Sequence, residues 1–352
     1  MKQRQGDKKK NGVSRDQLKE LTDRLEKGVM DFFTSENYQH FLDVMSRFHH
    51  YSVNNTILIA LQNPLATQVA SYATWKKMGR QVRRGEKGIR ILVPTPVKIR
   101  KETEKTDPAT GLVVIGTDGK PVMEESEYTL NHFKIGHVFS LEQTDGEPLP
   151  ELGIHELTDS YEGYERFMDA VREIAPVPIR FDEIEGGAKG YYHTEKKEIV
   201  IQEGMSQSQT MKTAVHELAH SVVHDREKMQ AEGEKKDRLV METEAESIAY
   251  CVCSFFHLDT SDYSWPYISS YSSSRELKEL RSSMETIRFT SGKIIDELQA
   301  KLFPEMSQEK QTDISTDTPV RKSVAEQLQE NRIIADALPR SPAGSRQREP
   351  VL

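Results

Sequence analysis

The stretch from Ser208 to His224 leaves the chain little freedom. Met211, Ala214, Val215, Leu218, Ala219 and Val222 recur at helical spacing and make a wide apolar stripe. A helix with one buried face is expected there. On it, His216 and His220 stand four residues apart, so the two side chains share a face, about 5–6 Å apart at Cβ. Two imidazoles at that spacing can hold one tetrahedral ion. Glu217, next to the first, is placed to act as general base on water at that ion. The plain alternative is a helix whose histidines are surface or capping residues, and the flanking apolar pattern speaks against it.

A catalytic zinc needs a third protein ligand and one open position. The next helical segment, about 240–257, offers Glu242, Glu244 and Glu246. Glu242 and Glu246 are one turn apart, at the border of the stripe formed by Ala245, Ile248, Ala249 and Val252. Glu242 is the expected third ligand. Glu246 is then expected to accept an N–H from a ligating histidine. Glu244, on the other border, is the alternative ligand. Acidity there would also complement the macrodipole of a helix N-terminus. The expectation is one zinc ion (Zn2+) per chain, held by His216, His220 and Glu242, with Glu217 catalytic. A purely structural zinc would fill all four positions, often with cysteine. Cys251 and Cys253 point to different helix faces, so a closed site is not expected. Tyr267 and Tyr271 are candidate oxyanion donors, though packing is the more ordinary role for both.

The chain has 352 residues, 36% hydrophobic and 30% charged, which suits about two soluble domains. No apolar run approaches a membrane span. The opening Met1–Lys10 is polar and basic, so no secretory signal and no membrane partner are expected. Two cysteines exclude a disulfide framework. A cytoplasmic protein is expected.

The fold class expected is α+β in two domains. Residues 1–14 read as a disordered basic lead, 15–145 as the first domain, 146–159 as a linker, 160–302 as the second domain and 303–352 as a disordered tail, with a short amphipathic helix near 323–338. In the first domain, helical periodicity runs over 15–62 and stops at Asn63-Pro64. A short helix at 71–78 and strands at 89–97 and 137–141 follow. Residues 101–127, with the turn Thr117-Asp118-Gly119-Lys120, read as a mobile hairpin insertion. In the second domain a helix carries Tyr164, Phe167, Val171 and Ile174. Strands follow at 179–181, 190–192 and 198–201, forming a small antiparallel sheet. The helix of His216, a polar loop at 225–238, the glutamate helix and a final helix at 274–302 complete it.

Lys76 to Lys101 holds ten Lys/Arg against one acid, Glu86. Its local charge of +9 sits in a chain of net −8, leaving about −17 elsewhere, an asymmetry that focuses positive potential on one domain. Tyr51, Tyr72 and Trp75 lie nearby. Cations interleaved with stacking surfaces are what unpaired nucleic acid needs. The alternative is a solvated basic loop with Tyr72 and Trp75 in the core.

Two resemblances bear on this. Residues 160–290, with short strands, the His216-Glu217-Leu218-Ala219-His220 helix and a glutamate-bearing helix, resemble the zincin metallopeptidases. Among these they look most like the ImmA/IrrE group, which cleaves repressor-type proteins. That resemblance implies zinc-activated water attacking a peptide carbonyl, with Glu217 moving the proton. Residues 15–145 are similar to the N-terminal domain of ArdC-type antirestriction proteins. The similarity rests on Tyr51-Ser52-Val53-Asn54-Asn55, on Gln62 to Thr67, on Tyr72 to Ile89, and on Val138-Phe139 with Glu142-Gln143-Thr144. Val53 stands where an aromatic is usual, and 242–246 departs from Glu-Leu-Val-Ala-Glu while keeping both ends. The resemblance implies single-stranded DNA as a partner and antirestriction on a conjugative or other mobile element. Tyr51, Tyr72, Trp75, Lys76, Lys77, Arg80, Arg83, Arg84 and Lys87 are the implied contacts. A second reading is a regulatory zinc metalloprotease with a protein substrate, targeted to DNA by its basic domain.

Overall fold

The computed structural model describes residues 15–149 and 161–304, apart from 34, 106, 108–111, 118, 232, 234, 261–264, 266 and 267. The expected basic lead, most of the linker, nearly all of the tail with its short helix, Asp118 of the turn, and Tyr267 lie outside the described residues. Described residues within 14–91 and 136–321 make one compact unit, and those within 92–135 another.

The large unit opens on three helices, α1 (Arg15–Phe32), α2 (Ser35–Arg47) and α3 (Val53–Gln62). Ser52 caps α3 by accepting from the Asn55 N–H. Asn63, held before Pro64, ends it. A short strand β1 (Val69–Ala70), helix α4 (Tyr72–Lys77) and strand β2 (Arg80–Val82) follow. Strands β3 (Ile89–Glu104) and β4 (Met123–Ser140) are far longer than the sequence suggests, and β4 ends paired to β1. The sheet order is β1-β4-β3, so Pro94 and Pro96 fall on an edge strand, where a missing N–H is tolerated. A 3-10 turn (Leu141–Gln143) leads to β5 (Thr144–Gly146), antiparallel to β2.

In the small unit the ribbon is tied by the Thr95 hydroxyl, which donates to the His132 carbonyl at 3.1 Å. Its far end is closed by backbone bonds from Lys105 to Val122 and from Val114 to Lys105, each 2.8 Å.

Returning to the large unit, α5 (Tyr161–Ile174) precedes strands β6 (Ile179–Asp182), β7 (Gly190–His193) and β8 (Glu198–Gln202). β8 is central, with the antiparallel partner β7 on one side and β6 parallel on the other. Ile199, Val200 and Ile201 are all fully buried, as a strand covered on both faces requires. Helix α6 (Gln207–Val223) starts at the Ser206 cap. The segment read as a polar loop contains a short helix, α7 (Arg226–Ala231). Helix α8 (Arg238–Phe255) starts at Asp237, which accepts from the Val240 N–H at 2.9 Å. A short α9 (Ile268–Ser273) and the long α10 (Leu277–Leu302) are the last of the described elements.

Helix α8 is the axis of the large unit. It packs against α6 and α10, and its far side meets α2. Tyr38 of α2 bonds Ser247 at 2.7 Å, and Tyr250 donates to Asp43 at 2.7 Å. Burial pushes the Tyr250 hydroxyl well above its ordinary range, with Asp43 adding to the effect. The first helices are thus seated on the glutamate helix by buried polar bonds set among aromatic contacts such as Tyr38 on Trp265.

Candidate metal centre and basic surface

The i, i+4 pair on α6 behaves as its spacing requires. His216 Nε2 and His220 Nε2 lie 3.2 Å apart. From α8, Glu242 brings Oε2 to 3.7 Å from His216 Nε2 and 3.6 Å from His220 Nε2. These three ligand atoms make one cluster within 4.8 Å. Glu246, one turn along α8, sets Oε2 3.0 Å from His216 Nδ1. Glu242 and Glu246 thus take the two sides of one imidazole.

The second histidine is held differently. His220 Nδ1 meets His224 Nδ1 at 3.0 Å, and His224 Nε2 meets Glu244 Oε2 at 3.0 Å. Glu244 also accepts from Lys236 at 2.8 Å and from the Ser283 hydroxyl at 2.9 Å. Its side chain is 1% exposed. Glu244 therefore turns away from the cluster and does not serve as the alternative ligand. Four residues N-terminal to Ile248 on the buried face, it meets His224 instead of water. Burial alone would raise its carboxyl, but the bonds from His224 and Lys236 hold it below the ordinary carboxylate range. Burial pushes His224 down, toward the neutral ring. A neutral His224 donating from Nε2 to Glu244 accepts at Nδ1, so His220 carries its proton on Nδ1.

The consequence fixes the chemistry of the cluster. Both Nδ1 atoms donate outward, so both Nε2 atoms present lone pairs to each other and to a carboxylate. Only a cation satisfies that arrangement, and two imidazoles with a carboxylate suit a borderline divalent metal. In the metal-free protein a proton takes this part. Burial lowers His216, yet Glu242 and Glu246 outweigh it and carry the ring to about 10. The same bonds take Glu242 far below its usual range.

Glu217 is 7% exposed. Burial raises its carboxyl above the ordinary value, the direction a proton carrier needs. It lines a cleft of about 390 Å³ together with Gly190, Lys212, Thr213, His216 and Glu246. A Cβ on Gly190 would stand 2.6 Å from Thr213 Cγ2 and 3.2 Å from Glu217 Cγ. Glycine there lets β7 lie against α6. The Tyr192 hydroxyl fixes the approach by donating to Asp225 at 2.6 Å, and the Tyr192 backbone bonds the Glu217 carboxylate. Tyr271 is not an oxyanion donor: its hydroxyl is committed to Ser283 at 2.7 Å, in the packing behind Glu244.

The basic segment sorts its residues sharply. Trp75 is 1% exposed, and its indole N–H donates to the Phe139 carbonyl at 2.8 Å. It is a core residue and offers no face to a base. Tyr51 is half-buried, with its hydroxyl on Val69 and its acidity weakened by burial to a value about 12. Arg80 is a strut, bonding Thr144 Oγ1 at 2.8 Å and the Gly146 carbonyl. Arg83 pairs with Glu86 at 3.0 Å and Asp145 at 3.5 Å. Lys76, Lys77, Arg84 and Lys87 are exposed, and Tyr72 is 50% exposed. Among the described residues, the side chains of Lys76, Arg84 and Lys87 enter no ion pair.

His224, Lys236 and Ser283 were not foreseen from sequence. One signal existed for His224: it lies four residues beyond His220 and continues the same helix face.

Two family models match along the chain. Residues 14–139 match the family model for the N-terminal domain of anti-restriction factor ArdC, and residues 173–253 match the IrrE N-terminal-like domain. An uncharacterized Bacillus anthracis protein, pXO2-81, is 24% identical over 312 residues, 82% of this chain. The chain spans 52% of that relative's length. Crystal structures of antirestriction ArdC protein from plasmid R388, metal-free and Mn(II)-bound, align with TM-scores of 0.41 and 0.40. Their identities are 21% and 20%, over 72% of this chain and 85% of theirs. None of the described helices is long and apolar enough to cross a membrane. The chain thus carries one segment similar to the N-terminal domain of anti-restriction factor ArdC and, after it, one similar to the IrrE N-terminal-like domain.

Proposed function

We propose that this chain is a cytoplasmic, single-stranded DNA-binding antirestriction protein of a mobile genetic element, carrying a zinc-dependent peptidase-like centre. The observation that carries the DNA reading is that Lys76, Arg84 and Lys87, exposed and without an ion pair among the described residues, share one basic segment with half-exposed Tyr72, inside the stretch that matches the ArdC N-terminal domain. Cations neutralise phosphates, and an exposed ring stacks on an unpaired base. The test is binding of a labelled 30-nucleotide strand across a salt series. Replacing the three cations with alanine is expected to lower the salt slope by about 2, at about 0.7 per phosphate contact on single strands. An unchanged slope, or equal affinity for duplex, counts against the reading.

The centre on α6 and α8 would be held to zinc by His216, His220 and Glu242. Zinc in such a site polarises a carbonyl and acidifies water. Glu246 holds the His216 Nδ1 proton and His224 that of His220, which keeps both Nε2 atoms turned inward. Glu217 takes up and returns a proton at its carboxylate. A peptide substrate is favoured by β7, an edge strand whose Tyr192 backbone faces Glu217: an extended chain can add to such an edge. The second reading, a regulatory protease acting on a repressor-like partner, rests on that same edge. A Glu217→Gln variant is expected to keep zinc and lose any cleavage of such a partner. Cleavage surviving in that variant would remove Glu217 from its role.

A further inference from the structure

We propose that His49, His50 and Asp296 form a second metal site, distinct from the one on α6 and α8, suited to a divalent transition ion of the zinc class. His49 and His50 sit in the turn just after α2, and Asp296 is on α10. His49 Nε2 is 3.5 Å and His50 Nε2 is 3.6 Å from one oxygen of Asp296, Oδ1. One ligand atom from each residue falls within 4.8 Å of the others. Two imidazoles and one carboxylate on one side of an ion, with solvent on the other, is a donor set that zinc-class metals accept and that calcium or magnesium does not favour.

An independent observation points to a ligand. His49 is buried, at 6% exposure, and its Nδ1 lies 3.0 Å from the Ser46 carbonyl. Nδ1 must donate there, so in the neutral ring Nε2 keeps its lone pair. That Nε2 is buried and has no hydrogen-bond partner among the described residues, although it is aimed at the cluster. A buried acceptor left unsatisfied is costly and uncommon. A cation shared with Asp296 and His50 satisfies it. The ring is also fixed, with its edge packed against Phe255 at 5.1 Å and 86°.

The backbone is built to bring the third ligand over. A Cβ on Gly292 would stand 3.3 Å from the His49 carbonyl oxygen. Glycine allows α10 to pass that close, and Asp296 follows one turn later on the same face. His50 and Asp296 are partly exposed, at 35% and 51% of their side chains, so an ion can enter and water can complete its shell. The ion would tie the end of α2 to α10, joining the helices near the start of the chain to the last described helix.

The test uses the full-length His216→Ala/His220→Ala variant, which removes the first site. Zinc content after loading and desalting is expected to be one per chain. It should fall to zero when His50→Ala or Asp296→Ala is added, and zinc should raise the melting temperature by several degrees only where the three residues are intact. Wild type should bind two ions and its His50→Ala and Asp296→Ala variants one, a comparison that holds even if the first variant fails to fold. A folded His216→Ala/His220→Ala variant without zinc overturns the proposal. So does zinc retained through both His50→Ala and Asp296→Ala, or a wild type that binds a single ion.

Discussion

His224 Nε2 stands 3.0 Å from Glu244 Oε2, and both side chains are almost wholly buried. This pair fixes the ring that in turn holds His220. Removing His224 takes away one hydrogen-bond partner of a buried carboxylate that keeps Lys236 and Ser283, and costs about 1–3 kcal/mol. His224→Ala is therefore expected to destabilise the metal-free protein by about that amount. It should also weaken zinc binding about 10–100-fold, as loss of an outer hydrogen-bond partner does. Calorimetry and metal titration check both. Unchanged zinc affinity would mean that His220 needs no help from behind.

The metal-free protein should respond to pH through His216. Its folded value, about 10, lies above the ordinary 6.5. A raised histidine contributes stability that is fully present below about 6.5 and is lost as pH rises toward 10. Thermal melts in chelator from pH 6 to 10 are expected to fall over that window, and Glu246→Gln should flatten the decline. Zinc affinity should run the other way, rising with pH because the ion displaces the His216 proton.

Trp75 and Tyr72 should separate cleanly. Trp75→Ala empties a core position and is expected to cost about 3–5 kcal/mol of stability, seen as a large drop in melting temperature. Tyr72→Ala should leave stability nearly unchanged and weaken single-strand binding by about 1–3 kcal/mol, the worth of one stacked base. A Tyr72→Ala variant with full affinity would take stacking out of the account.

Gly190→Ala should disturb the cleft without touching a ligand. Its Cβ would press on Thr213 and Glu217, forcing β7 away from α6 at a cost of about 1–3 kcal/mol. A drop in melting temperature with zinc still bound is the expected result. A variant as stable as wild type would mean that β7 shifts freely.

Periodicity made the longer helices of this protein legible, because an apolar stripe every 3.6 residues has one structural reading; α7 and α9, of 6 residues each, are too short to show one. The HExxH pair was legible for the same reason: four residues bring two side chains to one face wherever a helix forms. Glu242 against Glu244 was harder. Both border the α8 stripe, and only the packing of α6 and α10 decides which faces the histidines and which meets His224. Trp75 stayed open because composition does not report depth: a tryptophan among lysines reads equally as a stacking platform or as core, and its N–H bond to Phe139 on a distant strand decides for the core. Arg80 and Arg83 likewise counted as free charge until Thr144, Glu86 and Asp145 were seen beside them. The His49–His50–Asp296 cluster joins residues almost 250 positions apart, which no local pattern connects.

The most direct test of the central claim is an anomalous-difference map collected at the zinc edge from crystals of zinc-loaded protein. The account predicts a peak about 2.0–2.2 Å from His216 Nε2, His220 Nε2 and a Glu242 carboxylate oxygen, with Glu246 on the outer nitrogen of His216. A centre without density, or one whose third ligand is Glu246 or Glu244, would contradict it.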